Sequence, residues 1–182
     1  LDLLGSAQRE RNLNKAERVC RYKSGKYTVE RPLHLGATLA APEQADVLLE
    51  QLSNFGLPLG DAFQMRDDVL GAFGDTSSSL TGKPIGDDLR EGKPTPLLAM
   101  AWERATVAQR GLLDRVGAPQ ISHQEISDIQ QVIIETGALD ALETKISSLV
   151  EQSINAVSKS SLDESSKSRL IELAEFVALR KN

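Results

Sequence analysis

The stretch Ala62-Phe63-Gln64-Met65-Arg66-Asp67-Asp68-Val69-Leu70-Gly71-Ala72-Phe73-Gly74-Asp75 predicts a buried helix that carries a single polar stripe. At about 100° per residue, Asp67, Asp68, Gly71 and Asp75 all fall within roughly 60° of Gln64 around the helix axis. Apolar residues cover most of the remaining circumference: Phe63, Met65, Val69, Leu70, Ala72 and Phe73. A helix that is apolar nearly all round is typical of a protein interior.

Three carboxylates in one line on a buried helix need a partner of opposite charge. Desolvation costs several kcal/mol per buried ion, and like charges one turn apart also repel each other. The stripe contains no His or Cys, so a hard, oxygen-seeking cation such as Mg²⁺ fits it best. We therefore predict Asp67, Asp68 and Asp75 as metal ligands.

The composition excludes several classes of protein. Aromatic residues make up only 4% of the 182 residues and the net charge is −5, which argues against nucleic-acid binding. The single Cys20 excludes an internal disulfide and is consistent with a reducing compartment such as the cytoplasm. No run of about 20 apolar residues is present, so we predict no transmembrane segment.

Hydrophobic periodicity is helical throughout the chain and strand signals are weak. We expect one or two helices over residues 1–27 with a kink or break at Ser24-Gly25. A further helix is expected from Pro42 to Gly56, with Val47, Leu48, Leu52 and Phe55 buried. Further helices are predicted over 57–73, 95–116, 122–136, 138–159 and 170–179. The one long polar loop runs from Asp75 to Lys93, and loops of this length are usually functional or disordered.

Lysines beside glycines form a second pattern of opposite sign. Lys23 lies in Tyr22-Lys23-Ser24-Gly25-Lys26, and the polar loop carries Lys83 and Lys93. Carboxylates that hold Mg²⁺, with lysines nearby, suit a diphosphate because metal and ammonium groups together neutralise it. If the diphosphate is a leaving group, the same charges stabilise its departure.

These segments together resemble the trans-prenyltransferases, the isoprenyl diphosphate synthases. Phe63 to Asp68 is similar to the second aspartate-rich motif of that family, and Tyr22 to Lys26 to its upstream Lys-Thr segment. The loop after the aspartates and the last helix also match: Gly82-Lys83, Gly86-Asp87-Asp88, Gly92-Lys93-Pro94-Thr95 and Leu173 to Arg180. The resemblance implies an all-α fold, the isoprenoid synthase helical bundle around a central cavity, with residues 1–182 as the C-terminal portion of one such domain.

The resemblance also implies a reaction and a role for each residue. An allylic diphosphate would lose its diphosphate with the help of Mg²⁺ and condense with isopentenyl diphosphate. The expected product is a short- or medium-chain prenyl diphosphate, with geranylgeranyl diphosphate as the first choice. Asp67 would be the main metal ligand, supported by Asp68, and Asp67, Lys23 and Lys83 the catalytic residues. The residues expected to bind substrate are Lys23, Ser24, Gln64, Lys83 and Lys93, and Asp88 with Lys93 would shape the loop.

Three departures from the family pattern stand out. Gly71 occupies the place of the third acid of the second motif, and Asp75, one turn beyond, is the expected substitute. Ser24 replaces the family's Thr but keeps the hydroxyl. The first aspartate-rich motif and the residues that hold isopentenyl diphosphate would lie upstream of Leu1, so we expect residues 1–182 alone to be inactive.

Other functions remain open at this stage. Gly71 lends support to a non-catalytic partner subunit of a prenyl diphosphate synthase, which would lack a complete first motif. An all-helical interaction domain with incidental acids is a third interpretation. A head-to-head synthase of the squalene or phytoene type is disfavoured by the polar loop that carries Lys83 and Lys93. The resemblance further suggests a homodimer.

Overall fold

A computed structural model describes residues 11–74 and 86–179, and these two ranges contain helices and turns but no strand. The predicted all-α class is therefore confirmed. In chain order the elements are α1 (Leu13–Cys20), a π-helix (Arg21–Glu30), α2 (Arg31–Ala40), a 3₁₀ turn (Pro42–Gln44), α3 (Ala45–Phe73), α4 (Asp87–Glu91), α5 (Pro96–Arg104), α6 (Val107–Leu113), α7 (His123–Glu135), α8 (Ala138–Ser158) and α9 (Glu164–Leu179).

Helix α3 is a single helix of 29 residues that continues through Gly56 and Pro58. The prediction of two helices divided at Gly56 was wrong. A glycine and a proline both disfavour a helix interior, but Phe55 and Leu59 on either side are 0% and 1% exposed. Tertiary burial outweighs local propensity here, as it does in most protein helices. Val47, predicted to be buried, is 56% exposed.

The sequence predicted a kink or break at Ser24-Gly25, and the structure shows an uninterrupted π-helix over these residues. These two residues lie within the π-helix, and both are buried. A π-helix has a wider turn than an α-helix, and such turns are frequent at functional sites. The glycine permits a close approach to another backbone instead of ending the helix.

The chain divides into two compact units. Among the described residues, the first unit comprises 11–19, 67–74 and 86–143, and the second comprises 20–66 and 144–179. In the first unit, α5 and α7 supply much of the buried core: Leu97, Leu98, Met100, Ile126, Ile129 and Ile133. In the second, α3, α8 and α9 supply it: Leu52, Phe55, Leu59, Met65, Ile146, Val150 and Val177.

Helix ends in the C-terminal half follow local signals, with two differences. The capping box of Ser122 and Glu125 at the start of α7 is present as predicted. The helix predicted over 95–116 is divided into α5 and α6, because Thr106 opens a second helix with its own capping box. Helix α9 begins at Glu164, six residues before the predicted start at Leu170.

None of the helices within 11–74 and 86–179 combines the length and the apolar composition needed to cross a bilayer.

Candidate functional site

The two adjacent aspartates near the end of α3 have different environments. Successive residues on a helix are turned by about 100°, so their side chains cannot share one environment. The side chain of Asp68 is 3% exposed, whereas that of Asp67 is 44% exposed. Asp67 is therefore the carboxylate that faces solvent, and Asp68 is the one whose charge must be balanced by the protein.

Lys93 balances that charge. Its Nζ lies 2.9 Å from Asp68 Oδ1, 2.8 Å from Asp88 Oδ2 and 4.0 Å from Asp67 Oδ2. Burial opposes the charge on this ammonium, yet the carboxylates of Asp68 and Asp88 raise the pKa of Lys93 well above its usual value. We call Asp67, Asp68, Asp88 and Lys93 the Lys93 cluster; all four residues belong to the first unit.

The Lys93 cluster is negative overall. Three carboxylates and one ammonium carry three negative charges and one positive charge, which leaves a net charge of −2. The sequence predicted Lys93 as a substrate ligand; the structure places its ammonium beside these carboxylates, and its contact with substrate stays a prediction. Asp75 and Lys83, predicted to bind metal and substrate, lie outside the described residues, so their roles stay predictions.

A second group of predicted residues meets in the other unit. Ser24 Oγ donates a hydrogen bond of 2.7 Å to Gln64 Oε1, and both residues are buried. Beside them the π-helix and α3 touch through their backbones: a Cβ added at Gly60 would lie 2.5 Å from the Cα of Gly25. We call Ser24, Gly25, Gly60 and Gln64 the π-helix contact. Lys23, also predicted to bind substrate, is exposed on the same π-helix.

Sequence reasoning missed an ion pair that adjoins this contact. Arg21 Nε lies 3.1 Å and 2.9 Å from the two carboxylate oxygens of Asp61, and the side chain of Asp61 is only 8% exposed. The hydrogen bond to Asp61 raises the pKa of Arg21. A signal was present in the sequence, because Asp61 precedes Gln64 by three residues and so lies on the same face of α3.

The donor set of the Lys93 cluster suits Mg²⁺ bound together with a phosphate ligand. No group of three or more His, Cys, Asp or Glu side chains is arranged to hold a metal ion within the part of the chain that the structure describes. Mg²⁺ in phosphate sites is normally held by one or two carboxylates, with phosphate oxygens and water completing its shell. Asp67, oxygen-donating and 44% exposed, meets that requirement.

Comparison with known proteins identifies the family. Residues 1–135 match the model of the polyprenyl synthetase family. The chain is 34% identical over 133 residues to the geranylfarnesyl diphosphate synthase of Aeropyrum pernix, which covers 73% of this chain and 39% of that protein. It is 32% identical over 130 residues to the farnesyl diphosphate synthase of Escherichia coli, which covers 71% of this chain and 40% of that protein.

The fold agrees with this family. The crystal structure of geranylgeranyl pyrophosphate synthase from Corynebacterium glutamicum, complexed with isoprenyl diphosphate and magnesium, superposes with a TM-score of 0.89. That match has 34% sequence identity and covers 98% of this chain and 50% of that one, so the chain spans about half of the solved relative. The chain belongs to the polyprenyl synthetase family, the trans-isoprenyl diphosphate synthases.

Proposed function

We propose that the protein carrying this chain is a Mg²⁺-dependent prenyltransferase that condenses isopentenyl diphosphate with an allylic diphosphate. The observation that carries the proposal is the Lys93 cluster, where three carboxylates meet one ammonium in the segment that resembles the second aspartate-rich motif of the family. Geranylgeranyl diphosphate is the proposed product. The likeness to the C. glutamicum geranylgeranyl pyrophosphate synthase over 98% of the chain supports this choice.

Asp67 is the proposed principal metal ligand, with Asp68 in support. The proposal is supported by the 44% exposure of the Asp67 side chain, whereas Asp68 is buried and paired with Lys93. Bound Mg²⁺ would neutralise the charge that develops on the departing diphosphate. Asp75 is kept in the proposal as a further ligand on the strength of the sequence pattern alone.

The substrate contacts are assigned to Lys23, Lys83, Ser24 and Gln64. The hydrogen bond from Ser24 Oγ to Gln64 Oε1 fixes the position of the hydroxyl, and Lys23 follows from its place beside Ser24 on the π-helix. Since its ammonium already contacts Asp68 and Asp88, Lys93 would act on the substrate through the carboxylates that it orients.

Binding of a non-hydrolysable allylic diphosphate analogue to the intact protein tests this proposal. We expect binding that requires Mg²⁺ and that is lost in Asp67→Ala and in Lys83→Ala. Glu50→Ala is the matched control, because Glu50 is an exposed carboxylate on the same helix and should leave binding unchanged. Equal binding with and without Mg²⁺, or unchanged binding in both site variants, would refute the assignment.

The alternative of a non-catalytic partner subunit drew its support from Gly71, which removes an acid from the motif. The structure weakens that support, because the carboxylate of Asp88 lies against Gly71. Condensation activity of the intact protein in the absence of any other synthase chain would exclude the alternative.

The proposal retains a cytoplasmic homodimer, as the family resemblance implies. Light scattering on the intact protein tests the oligomer, with an expected mass of twice that of one chain.

A further inference from the structure

The space beside the Cα of Gly71 is filled by the side chain of Asp88. Gly71 follows Asp67 by four residues and Asp68 by three, so its Cα lies on the same face of α3 as the two acids. A Cβ added at Gly71 would lie 2.3 Å from Asp88 Oδ2 and 2.4 Å from its Cγ. The carboxylate of Asp88 therefore occupies the space that a side chain at position 71 would need.

Asp88 is held firmly in that place. It lies in α4, a five-residue helix between Gly86 and Gly92, whose φ angles of +76° and +71° are left-handed conformations that favour glycine. The next residue, Leu89, is 3% exposed and anchors the short helix. The Asp88 carboxylate itself is only 14% exposed and accepts a hydrogen bond of 2.8 Å from Lys93 Nζ.

We propose that Asp88, and not Asp75, takes the place of the third acid of the second motif, and that Gly71 is the residue that allows it to do so. Asp75 keeps only the part of a further metal ligand that the sequence pattern gives it. Gly71 and Asp88 form a coupled pair, because the absence of a side chain at Gly71 leaves the space that the Asp88 carboxylate occupies. Asp88 acts as a positioning residue: it holds Lys93, and Lys93 holds Asp68. This inference rests on the proposed function, because the third acid has a role only if the cluster binds a metal with a diphosphate.

The coupling has a steric and an electrostatic part. Any side chain at position 71 displaces Asp88, since the contact of 2.3 Å is far shorter than van der Waals distance. An acid at position 71 would also add a fourth carboxylate to a cluster that already has three against one ammonium. With Asp88 removed, both conflicts disappear and position 71 can carry the acid itself.

A double-mutant cycle in the intact protein tests the pair. The variants are Gly71→Ala, Asp88→Ala and the double variant, together with Gly71→Asp in the native and the Asp88→Ala backgrounds. The first readout is Mn²⁺ affinity measured by electron paramagnetic resonance in the presence of inorganic pyrophosphate. The second is thermal unfolding of the same variants without metal.

We expect Gly71→Ala and Asp88→Ala each to weaken Mn²⁺ binding about tenfold, as loss of a group that orients metal ligands usually does. The double variant should be no weaker than either single variant, and Gly71→Asp should lower affinity alone but restore it in the Asp88→Ala background. Effects that multiply independently, or native affinity in Asp88→Ala, would overturn the inference.

The two readouts separate this inference from the proposed function. If the native protein fails to bind Mn²⁺ with pyrophosphate, the proposed function is refuted. The unfolding cycle then decides the structural part: a thermal destabilisation by Gly71→Ala that disappears in the Asp88→Ala background supports the pair, and equal destabilisation in both backgrounds overturns it.

Discussion

The Lys93 cluster and the π-helix contact are both built on α3 but are held together by different physics. In the Lys93 cluster, charges of one sign outnumber the other, with three carboxylates around one ammonium. In the π-helix contact, two glycines bring backbones together and one neutral hydrogen bond joins Ser24 to Gln64. The adjoining pair of Arg21 and Asp61 is electrically balanced.

From this difference we expect the Lys93 cluster to respond to a bound cation and the π-helix contact to be insensitive to one. A cluster with excess negative charge gains stability when a cation binds, because the cation offsets the repulsion among its carboxylates. A steric contact with balanced charges gains nothing from a cation. Added Mg²⁺ should therefore distinguish variants of the two regions, and the following changes are ordered by their expected effect.

Lys93→Met should have the largest effect. It leaves the buried Asp68 and the nearly buried Asp88 without their common cation, and breaking a buried ion pair in this way costs about 3–5 kcal/mol. Thermal and urea unfolding measure the loss. Millimolar MgCl₂ should restore part of it, because the variant cluster is more negative than the native one.

The control for Lys93→Met is Arg115→Met, which removes the cation of an exposed ion pair with Glu125. Exposed pairs contribute about 1 kcal/mol or less, so this variant should be nearly as stable as the native protein. KCl at matched ionic strength serves as the control for salt. A Lys93→Met protein as stable as Arg115→Met would mean that Lys93 does not balance the cluster.

Gly60→Ala should come next. The new methyl group would lie 2.5 Å from the Cα of Gly25 and 2.7 Å from the carbonyl oxygen of Ser24. Backbone atoms cannot turn aside as a side chain can, so we expect a loss of about 3 kcal/mol in the free energy of unfolding. Mg²⁺ should not restore it.

Gly36→Ala is the matched control for Gly60→Ala, since Gly36 also lies in a helix but has nothing within 4 Å of an added Cβ. Alanine is the better helix former by about 1 kcal/mol, so this variant should be slightly stabilised. If both substitutions changed stability alike, the close approach of Gly25 and Gly60 would not exist in solution.

Helical periodicity predicted most of the residues that α3 contributes to the candidate site and to the core. The stripe of Gln64, Asp67 and Asp68 was visible in the sequence because a helix repeats every 3.6 residues, and the structure shows both Gln64 and Asp68 buried. The apolar faces around the stripe followed from the same repeat. Ser24 was predicted from its motif, and the structure shows its hydroxyl donating a hydrogen bond to Gln64, while its contact with substrate stays a prediction.

Contacts between separate segments were beyond that reasoning. The approach of Asp88 to Gly71 joins residues 17 positions apart, across a segment with no periodic signal. The pairing of Arg21 with Asp61 depends on the π-helix, whose turn the 3.6-residue repeat does not describe. In both cases the sequence gives no local signal for one of the two residues, because its role depends on a contact with a distant segment.

Asp61→Asn should have a moderate effect and sharpens the contrast between a balanced pair and an unbalanced cluster. It keeps the volume and removes the charge that Arg21 binds, so we expect a loss of about 2 kcal/mol. Urea unfolding with and without MgCl₂ is the measurement. Mg²⁺ should leave the loss of unfolding free energy in Asp61→Asn unchanged, while it reduces the loss in Lys93→Met. Equal rescue of both variants by Mg²⁺ would remove the distinction between the two regions.

Glu125→Gln should have the smallest effect and provides an exposed reference for both buried regions. Hydrogen bonds from Ser122, together with Arg115, lower the pKa of Glu125 from 4.5 to about 2. A lowered pKa in the folded state means that the ionised group stabilises the fold above pH 4.5 and loses this contribution as the pH falls towards 2. Because glutamine also completes a capping box, the substitution removes the charge and keeps the cap.

Thermal unfolding at several pH values should show the native protein slightly more stable than Glu125→Gln at neutral pH. The two curves of stability against pH should converge below pH 4.5 and meet near pH 2. Parallel curves over that range would mean that the charge of Glu125 contributes nothing to the start of α7.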